Sequence, residues 1–219
     1  MKKSLFLIGI VLILDQSLKF WIKTNMTLGQ EFNIISNWFI IHFTENEGMA
    51  FGLTFGGEFG KLALSMFRIL AIAAIGYYLY NLNRQKAHTG LTVSISLILA
   101  GAIGNILDSA FYGLIFSNSS YHTVATLLPE IGGYATFLHG KVVDMLYFPI
   151  IQGHYPDWFP LWGGEDFIFF RPVFNIADSS ITIGVFILIL FQRKFFPNHK
   201  KDDEEVVNGD IATIETTEE

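Results

Sequence analysis

Two aspartates stand where chemistry is the expected use of a carboxylate: Asp144 in Lys-Val-Val-Asp-Met and Asp178 in Phe-Asn-Ile-Ala-Asp-Ser-Ser. Each lies among apolar residues, and Asp178 opens a hydrophobic run long enough to enter a bilayer. A carboxylate at the edge of hydrocarbon is costly, so it faces a cavity, a partner or a reaction. If the two meet, they cannot both ionise cheaply and they share a proton. The ionised one then deprotonates a water, while the protonated one polarises a carbonyl and later assists a leaving amine. Such a pair hydrolyses an amide without metal or covalent nucleophile. Helix capping is the competing use, strongest for Asp178, where a negative charge suits the dipole of a helix start.

Other polar residues sit at depth in apolar sequence. Asp15 and Lys19 are four apart on one helix face, in the favourable acid-then-base order, and read most simply as a neutralising ion pair. Gly101 and Gly104 allow close helix packing, which leaves Asn105 and Asp108 unexplained. Asn46-Glu47-Gly48 is, taken alone, a turn signal.

Four segments reach the roughly 20 apolar residues that span a bilayer, at about 4–23, 61–80, 91–116 and 176–196. The first follows Lys2 and Lys3 as a signal peptide would, but no small-residue cleavage site comes after it, and Asp-Gln-Ser-Leu-Lys continues the helix. Lys2, Lys3, Arg84, Lys86, Arg193, Lys194, Lys200 and Lys201 fall on one side of these spans. That bias predicts cytoplasmic termini, with 24–60 and 117–175 extracytoplasmic. Both aspartates then lie at the outer face. Residues 32–43 are β-prone and aromatic, predicting strands at the membrane surface, and 149–172 carry Trp158, Trp162, Tyr155 and several Phe, as a headgroup belt does.

The formal charge of −6 is misleading. Eight of the 20 acidic residues follow Lys201, so residues 1–201 carry 14 basic against 12 acidic side chains, a net of +2. The tail 202–219 reads as disordered, acidic and cytoplasmic, appended to a single membrane domain over 1–201. Nothing calls for a nucleic-acid partner. The absence of cysteine excludes disulfides, thiolate catalysis and Cys-ligated metal.

In order, Asp15-x-x-x-Lys19, Asn46-x-Gly48-x-Ala50-Phe51, Gly104-Asn105-x-x-Asp108, Val142-Val143-Asp144 and Phe174-Asn175-x-Ala177-Asp178 resemble the successive motifs of bacterial lipoprotein signal peptidase (signal peptidase II). Each motif is weak alone; five in order across four spans are specific. The resemblance implies an intramembrane aspartyl endopeptidase of the bacterial inner membrane. Such an enzyme removes signal peptides from diacylglyceryl-modified prolipoproteins by cutting before the lipidated cysteine. The implied fold is an all-α membrane protein of four transmembrane helices with a small extracytoplasmic β-cradle and a surface helix over about 30–60. Asp144 and Asp178 become the catalytic pair. Asn46, Gly48, Asn105, Asp108 and Asn175 organise the site or bind substrate, with Asp15 and Lys19 in support. No cofactor or metal is implied; the partners are prolipoprotein substrates and membrane lipids, and a monomer suffices.

Two departures stand out. Ser109 occupies a position where the family commonly has Arg, and the 34-residue spacing from Asp144 to Asp178 is long, the excess being aromatic sequence around 152–170. At about 1.5 Å per residue, Arg68 lies roughly 10 Å below the outer end of span two, near the layer of Asp15 and Asp108. Arg68 is therefore expected to supply the missing cation by pairing with Asp108 or Asp15, with snorkelling to the headgroups as the alternative. The aromatic insert reads either as a flap beside the cleft or as a surface anchor.

A small ion- or proton-coupled transporter is the main functional alternative, since transport paths also use intramembrane charges. It would need polar residues through the full depth, yet the cytoplasmic halves of the spans are apolar and no inverted repeat is present. A non-catalytic scaffold is the second. No His-Glu-x-x-His, Gly-x-Ser-x-Gly or Gly-x-Gly-Asp pattern occurs for other membrane peptidases.

Overall fold

In a computed structural model, residues 1–48, 57–169 and 171–196 are described. Ala50 and Phe51 of the second motif, and the tail 202–219, lie outside the described residues.

Long apolar stretches with few breakers become helices. They are α1 (Lys2–Asn25), α2 (Gly57–Arg84) and α3 (Thr89–Leu107), which runs on through a π-helical turn (Asp108–Tyr112) into the short α4 (Gly113–Ile115). These three are long and apolar enough to cross a membrane. α5 (Ile176–Leu190) is shorter, about 22 Å at 1.5 Å per residue against about 30 Å of hydrocarbon. The span expected over 176–196 is thus not one helix. It breaks at Phe191, and Gln192–Phe195 forms a separate turn, α6, whose Phe195 folds back onto the helix core.

α3 is the central helix, packing on α1, α2 and α5. Glycine makes its contact with α5 close: a Cβ at Gly101 would lie 2.2 Å from the Ala177 carbonyl oxygen. One end of the bundle is filled by Ile8, Leu79, Leu82, Leu91, Ile95 and Leu99. Large apolar side chains on the outer faces remain uncovered, among them Phe6 and Ile13 of α1, Phe67 and Leu70 of α2, and Phe186 and Ile189 of α5. A soluble chain seldom leaves such a surface bare.

The other end carries β-structure, so the chain is not all-α. β1 (Glu31–Ile35), β2 (Phe39–Asn46), β3 (Val142–Tyr147) and β6 (Val173–Phe174) form an antiparallel sheet in the order β1-β2-β3-β6. The aromatic, β-branched stretch 32–43 forms the β1–β2 hairpin, as its composition predicts. β2 aligns Thr44 with Asp144 and Asn46 with Val142. β3 aligns Leu146 with Phe174, which places the start of α5 beside β3. Ile22, Met26, Phe43, Phe116, Val143 and Met145 seal this sheet to the bundle. The aromatic insert is its own hairpin, β4 (Ile151–His154) with β5 (Asp166–Phe169), in which Tyr155, Phe159 and Trp162 stack.

Candidate active site

Asp144 projects from β3 and is buried. It caps no helix. Asp178 does cap one: Asn175 and Asp178 form a reciprocal capping box at the start of α5, the Asp178 N–H donating to Asn175 Oδ1 at 2.8 Å. Capping and a role in the site coexist, because the second carboxylate oxygen is used differently. Asp178 Oδ1 accepts from Asn105 Nδ2 at 2.7 Å.

Two asparagine amides link the pair. Asn175 Nδ2 donates to Asp144 Oδ1 at 2.7 Å and to Asn105 Oδ1 at 3.1 Å, and the Asn105 amide in turn holds Asp178. Asn46 Nδ2 approaches Asp144 Oδ2 at 3.3 Å. Its orientation is set by Gly48, whose N–H donates to Asn46 Oδ1 at 2.9 Å. Gly48 has φ +92°, and a Cβ there would meet the Arg68 guanidinium at 2.8 Å, so glycine is required on both counts.

Beneath lies a charged frame. The Lys19 ammonium uses its three donors on Asp15 (2.9 Å), Asp108 (2.8 Å) and Asn105 (3.1 Å), and the side chains of Lys19, Asp15 and Asp108 have no solvent access. Asp15 accepts the Ala177 N–H at 2.9 Å and Asp108 the Val143 N–H at 3.2 Å. Ala177 and Val143 immediately precede Asp178 and Asp144. Each frame carboxylate therefore pins the backbone one residue before a member of the pair, and one lysine neutralises both in part. The structure brings together Asp144, Asp178, Asn46, Gly48, Asn105, Asn175, Asp108, Asp15 and Lys19.

Arg68 differs from expectation. Lys19 occupies Asp15 and Asp108, and the Arg68 guanidinium instead donates to the Gly48 carbonyl. It still faces the pair: a cavity of about 690 Å³ is lined by Arg68, Asn46, Gly48, Asn105, Asp144 and Asp178, with Phe174 and Thr182. Ser109 turns away, its hydroxyl donating to the carbonyl of Asn105 in its own helix. The insert hairpin contributes no residue to the cavity lining.

Burial, then the Asp178 charge, pushes Asp144 up to about 7. Among the described residues no cluster of His, Asp or Glu has a metal-holding arrangement.

Sequence reasoning missed Gln16, whose amide donates to Asp108 Oδ1 at 2.9 Å and to the Gly104 carbonyl at 3.2 Å. It also missed a second buried group. Lys23 pairs with Glu45 and donates to Ser119 Oγ at 2.8 Å, while Lys141 stands 3.6 Å from the other Glu45 oxygen. Lys23, four residues beyond Lys19 on the same face, was the available signal.

The family model for signal peptidase (SPase) II matches residues 7–194 of this chain. The chain belongs to the signal peptidase II family. A lipoprotein signal peptidase of Porphyromonas gingivalis is 53% identical over 185 residues, covering 84% of this chain and 80% of the relative. One from Amoebophilus asiaticus is 36% identical over 215 residues, covering 96% and 86%. Two solved structures described as a bacterial membrane enzyme superpose with a TM-score of 0.57. They are 26% and 27% identical, covering 91% and 90% of this chain and 93% and 96% of theirs. The signal peptidase II chain is a membrane peptidase, and the transporter alternative has no support. Apolar packing around Ile8, Ile95 and Leu99 closes the bundle below the frame, where a transport path would have to run.

Proposed function

We propose that this signal peptidase II chain is an aspartyl endopeptidase that cuts diacylglyceryl prolipoproteins before the lipidated cysteine, with Asp144 and Asp178 as its pair. The observation that carries the reading is the placement of both carboxylates on one cavity wall, tied through the amides of Asn105 and Asn175. Burial and the Asp178 charge raise Asp144 to about 7, which makes Asp144 the member of the pair suited to carry the proton. Asp178 takes a proton from water as the water oxygen bonds to the scissile carbonyl carbon, and Asp144 gives its proton to the carbonyl oxygen. The C–N bond of the resulting gem-diol then breaks. Asp178 protonates the leaving nitrogen, and a diol hydroxyl returns a proton to Asp144.

Arg68 and Gly48 line the same cavity, and an extended signal peptide would lie there beside β2. α1, α2 and α3 cross the inner membrane and α5 continued by α6 makes the fourth crossing, with both termini cytoplasmic, following the basic-residue bias, and the sheet stands at the extracytoplasmic face. The insert anchors that face: Trp158 and Leu161 are 79% and 90% exposed, suited to headgroups, and the hairpin stays outside the cavity. One chain supplies the whole pair and its frame, so a monomer is sufficient.

The test is complementation of cells lacking signal peptidase II. Asp144→Asn and Asp178→Asn are each expected to accumulate lipidated, uncleaved precursor. Normal processing by either variant removes that residue from the catalytic pair.

A further inference from the structure

At the end of the bundle opposite the pair, a second cavity of about 460 Å³ opens between α1, α2 and α3. Thr92 in its wall is 13 residues from Asn105, about 20 Å along α3. Lys2, Lys3 and Lys86 line it together with Ser4, Asn83 and Thr92, and among the described residues no carboxylate does. None of the three lysines forms an ion pair among the described residues.

Lys86 is the telling residue. α2 ends in a Schellman turn, the Ala87 N–H reaching the Leu82 carbonyl at 3.0 Å and the Lys86 N–H the Asn83 carbonyl at 3.4 Å. Lys86 occupies the left-handed position of that turn, with φ +53°, where glycine is the favoured residue. The fold thus carries a lysine at a position whose backbone disfavours it, and the cavity gives that side chain a destination. Leu5 and Phe6, exposed on α1 beside Lys2, Lys3 and Ser4, continue the site along an apolar surface.

We infer that this cavity binds the phosphate headgroup of an anionic phospholipid of the inner leaflet, with Lys2, Lys3 and Lys86 as its cations and the acyl chains along α1. Basic pockets between membrane helices on the cytoplasmic side are suited to such headgroups. The site is separate from the peptidase pair, so it modulates the stability of the enzyme in the membrane without entering the reaction.

The experiment is thermal unfolding of the full chain in a neutral maltoside detergent, titrated with dioleoyl phosphatidylglycerol, dioleoyl phosphatidylcholine or inorganic phosphate. Phosphatidylglycerol is expected to raise the unfolding temperature and phosphatidylcholine to leave it unchanged. Lys86→Gly relieves the strained turn, so it should unfold no earlier than wild type without lipid. It should nonetheless need about fivefold more phosphatidylglycerol for the same shift, matching roughly 1 kcal/mol for one lysine at a charged surface. Lys86→Arg should restore the wild-type response. Equal responses to the two lipids, or an unaltered Lys86→Gly titration, overturn the site. A shift reproduced by inorganic phosphate overturns the assignment to lipid.

Discussion

Replacing Asp144 with Asn should abolish cleavage and, above neutral pH, stabilise the protein. Burial and the Asp178 charge raise Asp144 from 3.8 to about 7. A carboxyl whose folded-state pKa is raised stabilises the fold fully below its unfolded value and loses that contribution as pH rises through the folded one. The window is therefore about pH 4 to 7. A shift of roughly three units corresponds to about 4 kcal/mol at 1.36 kcal/mol per unit, on the order of 10 °C in unfolding temperature for a chain of this size. The substituted amide would keep the acceptor for Asn175 Nδ2 but turn its own NH₂ toward Asn46 Nδ2, which faces Asp144 at 3.3 Å, so the variant recovers only part of this. The assay is unfolding temperature in neutral detergent from pH 4 to 8. Wild type should lose stability across the window, and Asp144→Asn should fall distinctly less over the same range. Asp178→Asn separates the causes: it removes the second contribution and leaves burial, so its slope should shrink without vanishing. Parallel curves for wild type and Asp144→Asn would refute a proton held on Asp144.

Lys19→Met should cost about 3–5 kcal/mol, because Asp15 and Asp108 remain buried without their cation; thermal unfolding reads this, and adding Asp108→Asn should recover part of it. Gly101→Ala drives a methyl onto the Ala177 carbonyl, so α3 and α5 must part; a loss of about 1–3 kcal/mol in unfolding, together with slower cleavage, is expected. Arg68→Ala removes the donor on the Gly48 carbonyl and should slow prolipoprotein processing in a precursor assay while leaving the Lys19 frame and its stability intact. Processing at the wild-type rate would exclude Arg68 from the site.

The aspartates are legible because a carboxylate in apolar sequence is rare, and the helices because runs of about 20 apolar residues match the thickness of hydrocarbon. Depth is where that legibility ends. Counting residues places Arg68 in the layer of Asp15 and Asp108, but depth alone does not say which neighbour a side chain meets. Lys19, one turn beyond Asp15, satisfies both carboxylates from within the bundle, and Arg68 meets a turn carbonyl on another wall. The setting of Asp144 is equally out of reach, since its strand forms by pairing with distant segments, Thr44 against Asp144 on one side and Phe174 against Leu146 on the other. Local pattern carries no such register. Asp15 and Lys19 read as an ion pair that lets both enter hydrocarbon, and the contact exists, yet it is half of the arrangement. The other half is the pinning of the Ala177 and Val143 N–H groups, each one residue before a member of the pair. Buried charge here positions the backbone on which the two cavity carboxylates ride, so the spacing of the pair depends on residues that never reach the cavity.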